Sequence, residues 1–131
     1  MTTISLTSDD LRIIGHSINW ELNVPYERTI RPDLSPEERQ ILRIISNELC
    51  CQQRACHFGR QTALIEVGES YFCEDGRMRL PLLYFRLMTE AVVSFLGELS
   101  QSPTEVEIVT GSPMASTVEL LERMRSMRIT A

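Results

Sequence analysis

The segment that most constrains the fold is Pro81 to Ser100, PLLYFRLMTEAVVSFLGELS. Wound at about 100° per residue, it places its polar positions Arg86, Glu90, Ser94 and Gly97 on one narrow strip and leaves the rest of the circumference apolar. Nearly all of that surface has to be covered. A bilayer is not the expected cover, because the run is short and carries Arg86, Glu90 and Glu98. A central helix packed on a sheet meets the requirement, with a homodimer interface through the same helix as the alternative.

The sheet is expected from the segments around that helix. After Gly59 the apolar pattern changes period, and QTALIEV is rich in strand formers. SYFCEDGRMRL contains Asp75-Gly76, a two-residue hairpin signal that pairs Glu74 with Arg77, Cys73 with Met78, Phe72 with Arg79 and Tyr71 with Leu80. Tyr71, Cys73, Met78 and Leu80 then line one face. Arg77 and Arg79 are read as pointing to opposite faces, which makes no phosphate clamp. TEVEIVTG alternates Val106 and Ile108 with Glu105 and Glu107, the pattern of a half-buried strand. Ile4 and Leu6 leave room for an extra strand at the N-terminus, as an option beside the main order.

Three more helices carry local start and stop signals. In the first, Thr7 caps with Asp10, Leu6 staples against Leu11, and Leu11, Ile14, Ile18 and Leu22 recur at helical spacing before Pro25 ends the run. The second begins with Ser35 as N-cap, Pro36 at the first position and Glu38 closing a capping box, and runs to about Phe58, where Gly59 suits a left-handed stop. The last starts at Ser112-Pro113 and continues to about Met127, with Met114, Val118, Leu121 and Met124 on one face. Within it Glu119 and Arg123 form an i,i+4 pair. The expected fold is one α+β domain over residues 1–131, in the order ααββαβα with the first strand optional.

Composition then narrows the function. A net charge of -5 disfavours nucleic acid and anionic membranes, which select basic surfaces. All 13 basic residues are Arg, so Schiff-base and P-loop lysine chemistry are excluded. The N-terminus MTTISLTSDDLR has no secretory pattern, so a cytoplasmic location with reduced thiols is expected.

Three places merit a chemical reading. In ELCCQQRACHFGR, Cys50, Cys51 and His57 are the thiol or metal candidates, but a regular helix turns them in different directions. Cys50 and His57 share a face yet lie about 10.5 Å apart along the axis, too far to share one ion. Cys56 joins the apolar stripe of Ile41, Leu42, Ile45 and Leu49, and Cys73 belongs to the sheet core, away from the helix cysteines. In TGSPMAST, a strand-to-helix turn at Thr110, Gly111, Ser112 and Ser116 offers free N–H groups to an anion. Tyr26, Arg28 and Arg31 form an aromatic-arginine loop suited to a protein partner. His16 has no patterned nucleophile or carboxylate beside it, and the paired glutamates serve helix and strand surfaces.

No catalytic residue, cofactor or metal follows from these motifs. The leading expectation is a small protein-interaction module of the immunity-protein, antitoxin or adaptor type, working by surface complementarity without catalysis. A small ligand-binding protein or enzyme using the Gly111–Ser116 turn is the alternative, and a thiol or metal sensor the third.

Overall fold

Both N-terminal helix starts form as their local chemistry dictates. Thr7 Oγ1 accepts from Asp10 N at 3.1 Å while Asp10 Oδ2 accepts from Thr7 N at 3.0 Å. Ser35 and Glu38 make the same reciprocal pair at 3.1 and 3.0 Å. Each box satisfies backbone donors that a helix start leaves without intrahelical partners.

The computed structural model describes residues 2–23, 34–74 and 76–127. Its elements in chain order are β1 (Thr3–Thr7), α1 (Ser8–Asn23), α2 (Pro36–Phe58), β2 (Thr62–Gly68), β3 (Phe72–Glu74), β4 (Arg77–Pro81), α3 (Leu82–Leu99), α4 (Pro103–Thr110) and α5 (Met114–Ser126). They build one small α+β domain.

The sheet order is β1-β2-β4-β3. β1 is antiparallel to β2, β4 is parallel to β2, and β3 is antiparallel to β4. β4 thus inserts between the two strands that precede it. The hairpin has the expected register, Phe72 opposite Arg79, Cys73 opposite Met78 and Glu74 opposite Arg77. Since strand side chains alternate, Ile4, Leu6, Ala63, Ile65, Met78 and Leu80 all fall on one face. There they join buried residues of α1, α2, α3 and α5 in a common core.

α3 is central, as its apolar circumference requires. Phe85, Leu87, Met88, Ala91 and Val92 enter the main core, while Phe95 and Leu99 meet Val106 of α4 in a second cluster. The chain therefore supplies most of the cover itself. Leu83, Arg86, Glu90 and Gly97 form the exposed strip, whereas Ser94 is buried at 7%. Among the described residues, no helix is long and apolar enough to cross a membrane.

Five local expectations are corrected. Pro103–Thr110 is a helix and not a strand. Val106, Val109 and Thr110, at i, i+3 and i+4, point inward, and Ile108 is 75% exposed. Four alternating residues fit either period; Pro103 in the first turn and Gly111 as C-cap are compatible with a helix, and burial of Val106 against Phe95 and Leu99 selects it. Gly111 has φ 75°, the left-handed stop that glycine favours, and its N–H donates to Glu107 O at 2.8 Å. Gly59, by contrast, has φ -171°, so α2 does not end in a left-handed residue. Its terminus closes instead through the N–H groups of Gly59 and Arg60, which share Ala55 O as acceptor.

α5 begins at Met114 with Pro113 as N-cap, because the Ser112 side chain is engaged elsewhere. Its buried face is Thr117, Leu120, Leu121 and Met124, rotated from the expected one, and Val118 is exposed. Arg123 reaches Asp10 of α1 at 2.8 Å. A tertiary partner at this distance replaces the expected intrahelical pairing with Glu119.

Candidate functional site

Among the described residues, the helices pack on one face of the sheet and none covers the opposite face. Its cross-strand rows follow from the register: Thr3, Glu66, Arg79 and Phe72 in one, and Ser5, Leu64, Arg77 and Glu74 in the next. Arg77 and Arg79 are two residues apart on one strand, so they share this face, contrary to the reading that separated them. The alternation of the sheet requires it.

Both guanidinium groups approach the Phe72 ring, Arg77 with its Cζ 5.4 Å and Arg79 with its Cζ 6.0 Å from the centroid. Such cation–π contacts hold planar groups in place on the surface. Arg79 is also tied to Glu66, with Nη2 at 2.8 Å and Nε at 3.0 Å from Oε1. Glu66 is 5% exposed and therefore depends on that pair. Gly68 makes room for it, since a Cβ there would lie 2.4 Å from Arg79 Cδ. Arg77 makes a looser pair with Glu74 at 3.5 Å, and Leu64 beside it is 41% exposed.

The β1 edge is less open to a partner strand. Ser5 O accepts from Arg123 Nη1 at 3.4 Å, and Thr7 N donates to Asp10 Oδ2 at 3.0 Å. Side chains thus occupy groups that an added strand would need. Strand addition at β1 is therefore hindered.

The Thr110–Ser116 turn is tied together from within. Arg12 of α1 donates from Nε to Thr110 O at 2.7 Å and from Nη2 to Ser112 Oγ at 2.8 Å, and also pairs with Asp9 at 3.1 Å. Thr110 Oγ1 accepts from Ser112 N at 3.2 Å, and Ser116 N donates to Pro113 O at 3.0 Å. This arrangement joins α1 to the α4–α5 turn. Sequence reading named Thr110, Gly111, Ser112 and Ser116 but missed Arg12, nearly a hundred residues away.

α2 is regular through Cys50 and Cys51, which are exposed, as is His57, whose ring stacks edge-on against Phe58. Cys56 is buried in the core. No group of three or more His, Cys, Asp or Glu among the described residues is arranged to hold a metal ion. Cys73 departs from the expectation that it lies away from the helix cysteines. Its thiol donates to Glu48 Oε2 at 2.9 Å and accepts from Gln52 Nε2 at 3.2 Å, both on α2. Burial and, next, the Glu48 hydrogen bond push its pKa up to about 11. Tyr71 is raised as well, first by burial and then by the Glu48 charge.

His16 on α1 is lowered from its ordinary value, first by burial and then by the Arg12 charge, so its neutral form is favoured in the folded protein. Tyr26, Arg28 and Arg31 lie outside the described residues.

The observed class is thus an α+β domain with one sheet face that no described helix covers and an aromatic-arginine cluster upon it. Comparison with protein-family models, with curated proteins and with solved structures found no match.

Proposed function

We propose that this chain is a non-catalytic protein-interaction module of the immunity-protein, antitoxin or adaptor type, acting in the cytoplasm through the open face of its sheet. The observation that supports this reading best is the Phe72 ring held by Arg77 and Arg79 beside exposed Leu64. Aromatic and arginine side chains dominate binding hot spots because they bury much area and bond at their polar ends. Pre-positioning by Glu66 and Glu74 lowers the ordering cost of docking. The net charge of -5 favours a neutral or basic partner. The Gly111 turn is not used, because its polar atoms already serve the fold.

Isolation from the native host at physiological salt is the direct test. Wild-type protein is expected to carry a stoichiometric protein partner, and Leu64→Glu combined with Arg77→Glu to weaken its binding at least tenfold while the fold stays cooperative. Ile108→Glu, on the exposed side of α4, is the control and is expected to bind normally. Absence of a partner, or equal binding by the open-face variant, removes the basis of the proposal.

A further inference from the structure

We infer that Cys51 and Cys73 form a disulfide pair joining α2 to β3, with Glu48 restraining the closing step. Residues i, i+3 and i+4 of a helix surround one spot on its surface, and on α2 these are Glu48, Cys51 and Gln52. The Cys73 sulfur occupies that spot, bonded to Glu48 at 2.9 Å and Gln52 at 3.2 Å. Cys51 is the third residue around it and lies close enough for its charge to act on Cys73. Cys50, rotated by about 100° from Cys51, faces away.

The two thiols are unequal. Cys51 is exposed, whereas Cys73 is half-buried. The groups facing Cys73 are Glu48 and Cys51 of α2 and Tyr71 of its own segment. Tyr84 of α3 lies behind Tyr71, with ring centroids 6.0 Å apart, and Arg60 behind Gln52, to whose Oε1 it donates at 3.1 Å. Arg77 and Glu74 belong to the other face of the hairpin.

A small disulfide such as oxidised glutathione is the oxidant. The Cys51 thiolate attacks one of its sulfurs, forming a mixed disulfide and releasing one glutathione thiolate, which takes up a proton from water. Cys73 then loses its proton and attacks the Cys51 sulfur, forming the Cys51–Cys73 bond and releasing the second glutathione. Two protein thiols are oxidised and one glutathione disulfide is reduced to two thiols. The second step is the slow one, because a pKa of about 11 leaves Cys73 about one part in ten thousand thiolate at neutral pH. Its rate rises about tenfold per pH unit between 7 and 9.

Native full-length protein treated with oxidised glutathione, then alkylated and mapped by mass spectrometry, tests this. Wild type and Cys50→Ser are expected to yield the Cys51–Cys73 linked peptide with loss of two thiols. Cys51→Ser and Cys73→Ser, both near-isosteric, are expected to yield none. Glu48→Gln removes the charge that favours the protonated thiol and is expected to speed closure at pH 7 at least fivefold. A wild-type reaction that stops at mixed disulfides, or that links Cys50 instead, overturns the pairing. An unchanged closing rate in Glu48→Gln overturns the role given to Glu48.

Discussion

Phe95→Ala is expected to destabilise the domain by about 3–5 kcal/mol, the range for removing a fully buried aromatic side chain. Phe95 is 0% exposed and belongs to the second cluster with Leu99 and Val106. The Trp20 ring packs against it edge-on, with centroids 5.8 Å apart, and Trp20 Nε1 donates to Glu98 Oε2 at 2.9 Å. Truncation would leave a cavity and loosen both the Trp20 contact and the seat of α4. Chemical denaturation should show this loss, with a Tm lower by roughly 10–20 °C for a domain of this size. Phe58, at 84% exposed, is the matched control. Phe58→Ala should change stability by less than about 0.5 kcal/mol. Equal effects of the two substitutions would contradict the second cluster.

Arg12→Ala is expected to cost about 2–3 kcal/mol, because it removes two charge-assisted bonds and leaves the Thr110 carbonyl without that donor. Thr110 and Ser112 are both buried, so water is a poor replacement. Arg12→Lys should recover only part of the loss, since a point charge cannot reproduce the Nε and Nη2 fork. Stability measured by urea titration decides between this role and a purely surface arginine, for which the change would be near zero.

The same substitution has a pH signature. His16 has a folded-state pKa below its unfolded value, so its contribution to stability is full above about pH 6.5 and is lost as pH falls through the folded pKa. Loss of the Arg12 charge should raise the His16 pKa, measured by NMR, and shrink that acid-side loss. An unmoved His16 titration would place Arg12 too far away to act on it.

The candidate surface was only partly legible in the chain. The Asp75-Gly76 signal and the alternation around it gave the hairpin register, and the same alternation puts Arg77 and Arg79 on one face without further information. What no local pattern disclosed was that this face would stay open, because exposure depends on where the helices pack. Glu66 illustrates the limit: a glutamate in a strand reads as solvated, yet here it is buried beneath Arg79. Cys73 against Glu48 and Arg12 over the α4–α5 turn are likewise contacts between segments far apart in sequence.

By itself the sequence determined the features set within a few residues: the capping boxes at Thr7 and Ser35, the hairpin, and the need to cover α3. Those depend on side chains reaching neighbouring backbone and on fixed helical or strand periods. That α2 stays regular through Cys50 and Cys51 came from the structure. Only the tertiary structure decided that β4 lies between β2 and β3, that Pro103–Thr110 is a helix, and that Cys73 rests on α2. Each of these turns on which buried surface another segment supplies. Four residues of alternating polarity have nearly balanced local preferences, so packing of Val106 against Phe95 and Leu99 outweighs them.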